Sequence, residues 1–161
     1  RGLLADFYHS GSAGWVRYFT AADFTGGVVT KDMPLKLQLM QPSHSRAALI
    51  QNASLTTAAR RHSLDMACND QWSHTGTDGS SPFSRMLDAG YSYSWAAENI
   101  AASSYQNFTA EQVVNMWMNS DGHRANILSP NAVHIGVGFR YAGNVNILVY
   151  DAYYTADFGK P

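Results

Sequence analysis

The hydrophobic period of this chain changes once, and that change limits what it can fold into. Leu55, Ala58, Ala59, His62 and Met66 recur at helical spacing, which predicts a helix over about 54–68. Much later, Val133, Ile135, Val137 and Phe139 alternate with His134, Gly136, Gly138 and Arg140, the period of a strand. Ala142-Gly143-Asn144 reads as a turn, and Val145 to Thr155 as a second strand closing a hairpin. Between these regions lie three further helical stretches. Ser81 can cap a short helix with Pro82 in its first turn and Gly90 just past its end; Phe83, Met86 and Leu87 would be its buried face. Thr109 and Gln112 form a capping-box start for a helix of about 110–119, with Val113, Val114, Trp117 and Met118 facing the core. A short helix around Arg124–Leu128 follows and stops before Pro130. Asn69 to Ser80 is a polar loop, and a second loop, Tyr91 to Ala97, leads into Glu98.

Residues 1–45 lack such a pattern. They are expected to be an N-terminal arm or insertion packed on a core domain of residues 46–161. The 161 residues suit one domain, large enough to bury roughly 70% of its unfolded surface without covalent staples. With 45% apolar and 14% charged residues, the chain is globular. A net charge of −1 argues against nucleic acid or an anionic membrane as a partner. No apolar run approaches the length of a membrane span. No signal peptide is visible, and the chain begins at Arg1 without methionine, which fits either a mature form that has lost an export signal or a trimmed piece of the protein. The lone cysteine, Cys68, excludes an intrachain disulfide and is expected to be a small buried hydrophobe. Asn52-Ala53-Ser54 and Asn107-Phe108-Thr109 match the glycosylation pattern, which short triplets often do by chance.

Three polar signatures carry the candidate chemistry: Trp72-Ser73-His74-Thr75-Gly76, Ala97-Glu98-Asn99-Ile100 and Trp117-Met118-Asn119-Ser120-Asp121-Gly122-His123-Arg124-Ala125-Asn126-Ile127-Leu128. Two imidazoles and a carboxylate, His74, His123 and Glu98, suit zinc with an open position. They come from three separate segments, so spacing alone does not join them. Gly122 would let the backbone aim His123 into a cleft, Asn126 would bond backbone or a neighbouring loop, and Arg124 would disfavour a charged imidazole. His62 is expected to be a satisfied core residue, and His134 structural or exposed; His9 and His44 fall in the unpatterned arm. Ser73 beside His74 and Ser120 near His123 are serine–histidine neighbours. No nucleophile elbow accompanies them, so a serine hydrolase is not favoured.

Taken together and in order, these stretches resemble the CAP superfamily (cysteine-rich secretory, antigen five and pathogenesis-related proteins), in its bacterial SCP-like branch. Also matching are Leu55–Met66, Asp78–Pro82, Arg85–Tyr91, Ile135–Gly138 and Tyr154–Gly159, so the resemblance covers roughly residues 50–159. It implies an α+β fold, an α-β-α sandwich with a small antiparallel sheet between helical layers. It also implies a cleft with a His/Glu/Glu/His tetrad that holds a divalent ion in some members. His74, Glu98 and His123 carry over; the second glutamate does not, because Ser120 stands at its position. Glu111 lies before Trp117 and reads as a first-turn helix residue. The resemblance thus implies a secreted or cell-envelope domain, and three roles are open. The first is a non-enzymatic module that binds a small apolar molecule, an envelope component or a protein partner and requires no cofactor. The second is a structural polar network. The third is a divalent-metal hydrolase, peptidase-like, with His74 and His123 on zinc and Glu98 as ligand or base. The missing carboxylate places binding first and catalysis last.

Overall fold

A computed structural model of the chain describes residues 49–104, 108–142 and 150–161. The proposed arm of residues 1–45, with His9 and His44, lies outside them. So do Asn107 and most of the turn and strand expected over 143–149.

The elements run β1 (Ile50–Gln51), α1 (Ala53–Asn69), α2 (Pro82–Asp88), β2 (Trp95–Ser103), α3 (Ala110–Met118), α4 (Asp121–Leu128), β3 (His134–Tyr141) and β4 (Ala152–Lys160). Helix starts follow the local chemistry. Asn52 caps α1, its Oδ1 accepting from Ser54 N at 2.9 Å and Leu55 N at 3.1 Å. Ser81 and Thr109 both close capping boxes, with Ser84 and Gln112 as partners. Past α2, Gly90 takes a left-handed φ of 85°, the conformation its position predicts. The α2 face differs from the expectation: Met86 is buried, but Phe83 and Leu87 are 46% and 53% exposed. A helix of 7 residues shows only one narrow stripe to the core, and Met86 fills it. Cys68 is exposed, not buried, because it lies on the solvent side of α1 opposite Met66 and Ala67.

The α+β class holds, with a four-stranded sheet in the order β1-β3-β4-β2. The sheet is mixed rather than purely antiparallel: β1 pairs parallel to β3, while β3–β4 and β4–β2 are antiparallel. Strand β2, expected as loop leading into Glu98, pairs along its whole length with β4. Strand β4 runs on to Lys160, five residues past its expected end at Thr155.

Each strand's alternate residues serve two different layers. Ile135, Val137, Ala156, Phe158, Ala97 and Ala101 share a core with Val113, Val114 and Trp117 of α3 and Ile127 of α4. The opposite face lies under α1. There Gly136 and Gly138 let the helix backbone settle directly on β3: a Cβ at Gly136 would lie 2.1 Å from Leu55 C and Thr56 N. Trp117 ties the layers, its Nε1 donating to Ile100 O at 3.0 Å.

Candidate functional site

Glu98 is the centre of the site because of its strand register. It lies on the α1 face of β2, directly across from Asp157 on β4. Its side chain is only 2% exposed, and a buried carboxylate needs partners on both oxygens. Oε1 accepts from His74 Nδ1 at 2.7 Å. Oε2 accepts from Arg85 Nη2 at 2.8 Å. Arg85, on α2, also donates to Ser80 O and His74 O, both at 3.0 Å, so one guanidinium pins the 74–80 loop to Glu98. His62 of α1 approaches from the third side, its Nε2 3.9 Å from Oε1. That nitrogen donates to Ser73 O at 2.9 Å, because a carbonyl can only accept.

The electrostatics follow from burial. Desolvation alone would raise the Glu98 carboxyl. The His74 bond, the nearby His62 and the Arg85 guanidinium outweigh it and hold the group below its ordinary value. Asp157 behaves oppositely: complete burial, then the Glu98 charge beside it, push its carboxyl well above the usual range. One of this facing pair is therefore ionised and the other protonated.

The second edge of the site comes from α4. His123 is half-buried and lies inside the helix, which begins at Asp121 rather than at Arg124. Its carbonyl accepts from Asn99 Nδ2 at 3.1 Å. Asn126 Nδ2 donates to Asn99 Oδ1 at 2.9 Å, so the neighbouring-loop contact expected of Asn126 is a contact to strand β2. Asn99 and Glu98 alternate on β2: one side chain anchors α4, the other binds Arg85 and His74. Arg124 does not govern the His123 ring. Its guanidinium binds Asp121 and Met118 O. Burial, then the charge of His74, lowers the His123 pKa. Ser120 is the N-cap residue of α4 but makes no side-chain cap bond, and Ser73 Oγ accepts from Thr75 N. Neither serine hydroxyl hydrogen-bonds a described histidine side chain. Glu111 sits in the first turn of α3, as its position suggests.

Gly122 is not needed for a turn. A Cβ there would meet nothing within 4 Å, and the residue is helical. Gly122→Ala is expected to raise stability by about 0.5–1 kcal/mol, since alanine has the better helix propensity. Chemical denaturation of the pair would show it; a destabilised variant would mean that the helix start needs glycine.

The histidines set an acid limit. Burial holds His62 below its ordinary value, and His123 is lowered as well. Groups depressed on folding contribute stability fully present above their unfolded pKa, about 6.5, and lost as pH falls through the folded values. The melting temperature is expected to decline on acidification below about pH 6.5. A flat profile between pH 7.5 and 5 would contradict this, as measured by calorimetry.

His74, Glu98 and His123 are legible as site residues from the sequence. Arg85, His62, Asn99 and Asp157 are not. A titratable side chain on an apolar helix face, as His62 is, signals a buried polar partner. Arg85 carries only the weaker signal of its place beside Met86. Glu98 is not placed as a free zinc ligand, while its bond to His74 uses Nδ1 and leaves His74 Nε2 uncommitted among the described hydrogen bonds. Both Glu98 oxygens are engaged, and the Arg85 cation sits where a second cation would be repelled. Among the described residues, no three His, Cys, Asp or Glu side chains converge as ligands.

Residues 36–158 match the cysteine-rich secretory protein family, CAP. YkwD of Bacillus subtilis is 45% identical over 92 residues, 57% of this chain and 35% of YkwD. The membrane protein YlbC of the same organism is 30% identical over 122 residues, 76% of this chain and 32% of YlbC. An extracellular SCP-domain protein from Bacillus anthracis superposes with a TM-score of 0.60 at 29% identity, over 72% of this chain and 35% of that one. An outer surface protein of Borrelia burgdorferi also gives 0.60, at 21% identity, over 71% of this chain and 79% of that one; it bears on the fold alone. The chain thus spans about a third of the length of its two Bacillus subtilis relatives. No helix of the described residues is long and apolar enough to cross a membrane. The match across most of its length, with the His74, Glu98 and His123 signatures in order, places the chain in the cysteine-rich secretory protein (CAP) family.

Proposed function

We propose that this chain is an exported, non-enzymatic recognition domain that binds a bacterial envelope component through the edge bearing His74 and His123. The observation that carries this reading is the double engagement of Glu98. With Arg85 on one oxygen and His74 on the other, it is a fixed anchor and not a free base. The buried half of the network is scaffold: it ties α2, the 72–80 loop and β2 together. The solvent side offers chemistry for recognition. The His74 side chain is 52% exposed, and two residues earlier Trp72 is half-exposed, edge-on to Tyr150 at 5.9 Å. An exposed aromatic two residues from an exposed imidazole suits a ligand with an apolar portion and a polar head. An extracellular location belongs, by name, to the Bacillus anthracis SCP-domain neighbour, which supports the exported setting.

The test is co-sedimentation with bacterial envelope preparations. Saturable binding is expected, weakened about tenfold or more by Trp72→Ala and by His123→Ala, with little change in melting temperature. A chelator should leave binding unchanged, because no step depends on a metal. Absence of saturable binding, or chelator-sensitive hydrolysis abolished by His123→Ala, would sink the reading.

A further inference from the structure

The loop that follows α1 ends its exposed side in an aromatic corner. Trp72 is 51% exposed. Tyr150, two residues before β4, meets it nearly at right angles, with ring centroids 5.9 Å apart and planes at 68°. Tyr150 is half-buried and rests in turn on Tyr153, at 6.0 Å and 79°. Tyr153 is fully buried in β4, and its hydroxyl donates to Asp70 Oδ1 at 2.7 Å. Three rings therefore lead from the sheet to the surface, each held by the next. The loop backbone is braced as well: Ser73 O accepts from His62, and His74 O from Arg85. A tryptophan left half in water on so firm a support is pre-organised for a partner.

Charge narrows the class of that partner. Residues 62–84 and 141–159, which supply the rings, contain no lysine or arginine. Asp70 lies two residues before Trp72, and Asp151 directly follows Tyr150. The guanidinium nearest in strand register is that of Arg140, opposite Tyr153 on β3 and exposed to solvent. An anion would meet carboxylates and the negative faces of the rings. An acyl chain needs continuous apolar surface, whereas Gln71, Ser73, His74 and Thr75 flank the indole. An alkylated ammonium group suits both features. Its methyl groups pack on the rings, its diffuse charge is drawn to their faces, and tryptophan is the strongest of the aromatic partners.

We propose that the Trp72–Tyr150 corner binds a quaternary ammonium group, of the kind a choline head group carries. This inference rests on the recognition reading above and specifies the polar head of its ligand. Trp72 and Tyr150 form two walls, and Asp70 contributes through its charge.

The experiment is an NMR titration of the folded chain with choline chloride and tetramethylammonium chloride at constant ionic strength, followed at the Trp72 indole N–H. At least one cation should give saturable shifts centred on residues 70–74, with a Kd on the order of millimolar. Trp72→Ala should weaken binding about tenfold or more, and Trp72→Phe less, because a ring remains. Asp70→Asn should weaken it about threefold: asparagine tolerates the left-handed φ of 49° and still accepts from Tyr153, so only the charge is lost. Sedimentation with phosphatidylcholine vesicles but not with phosphatidylglycerol vesicles would assign the group to a lipid; binding of free choline without vesicle binding would assign it to a soluble or polymer-borne source. The proposal is overturned if neither cation gives a saturable shift, if sodium chloride gives the same shift, or if Trp72→Ala leaves the affinity unchanged. Envelope co-sedimentation that persists in a protein blind to both cations would overturn this inference and leave the recognition reading standing; loss of both would remove the two together.

Discussion

Gly136→Ala is expected to destabilise the chain by about 3–5 kcal/mol, enough to leave little folded protein at 37 °C. The added Cβ would lie 2.1 Å from Leu55 C and Thr56 N and 2.6 Å from Leu55 Cβ. The first two are backbone atoms of a capped helix, so no rotamer change can relieve the clash. Either α1 lifts from the sheet or β3 bends away. Lifting α1 would open the packing of Leu55 and Ala58 on Met86 and Tyr91, and would shift His62 from Ser73 and Glu98. The ordinary gain of about 0.4–1 kcal/mol from replacing glycine with alanine acts on the unfolded chain and is far too small to compensate. Gly138→Ala should behave alike, since its Cβ would lie 2.3 Å from Ala59 O. Urea denaturation gives the test: a lower midpoint with unchanged slope is expected. A midpoint equal to that of the parent chain would show that α1 does not sit on β3 this closely.

These two glycines also show what a sequence pattern can and cannot report. The alternation through Ile135, Val137 and Phe139 marks β3 as a strand with two unlike faces. Small residues between the apolar ones look like a solvent face, yet Gly136 and Gly138 are buried beneath α1. Period two reports a difference between faces, not which face meets water. Strand β2 escapes notice for a related reason. Helices cover both its faces, so its residues Ala96, Ala97, Ala101 and Ala102 neither alternate in polarity nor carry strand propensity. Helix starts are legible because capping is local: Ser81, Thr109 and their partners lie three residues apart. The site is legible only as separate signatures. His74 and Glu98 meet across 24 residues of chain, and Arg85 joins them from a helix whose buried face excludes Phe83 and Leu87, contrary to their apolar character. Which charge answers a buried carboxylate depends on packing that no local pattern encodes.

Arg85→Met is the sharpest probe of that pairing. It is expected to cost about 3–5 kcal/mol at pH 7, because Glu98 stays buried with a charge that only His74 then answers. Methionine preserves much of the arginine stem, so lost packing is a minor part of this cost. The bonds from Arg85 to Ser80 O and His74 O disappear as well, at about 1 kcal/mol each. The pH dependence separates charge from structure. In the parent chain Glu98 is held below its ordinary value, so its contribution is present above about pH 4.5 and is lost as pH falls through the folded value. Without the guanidinium, desolvation dominates and the Glu98 carboxyl rises. The variant then sheds its unpaired charge by protonation earlier on acidification, and the stability gap between the two proteins should narrow as pH is lowered. Asp157 acts in the other direction: raised on folding, it contributes below its unfolded value, and that contribution is lost as pH rises through the folded one. A double variant, Arg85→Met with Glu98→Gln, removes both charges and should recover much of the single-variant loss. Calorimetry of the three proteins from pH 7.5 down to 4.5 tests the cycle. If the double variant is no more stable than Arg85→Met, the guanidinium serves the 74–80 loop rather than the carboxylate, and Glu98 is not the anchor on which the recognition edge rests.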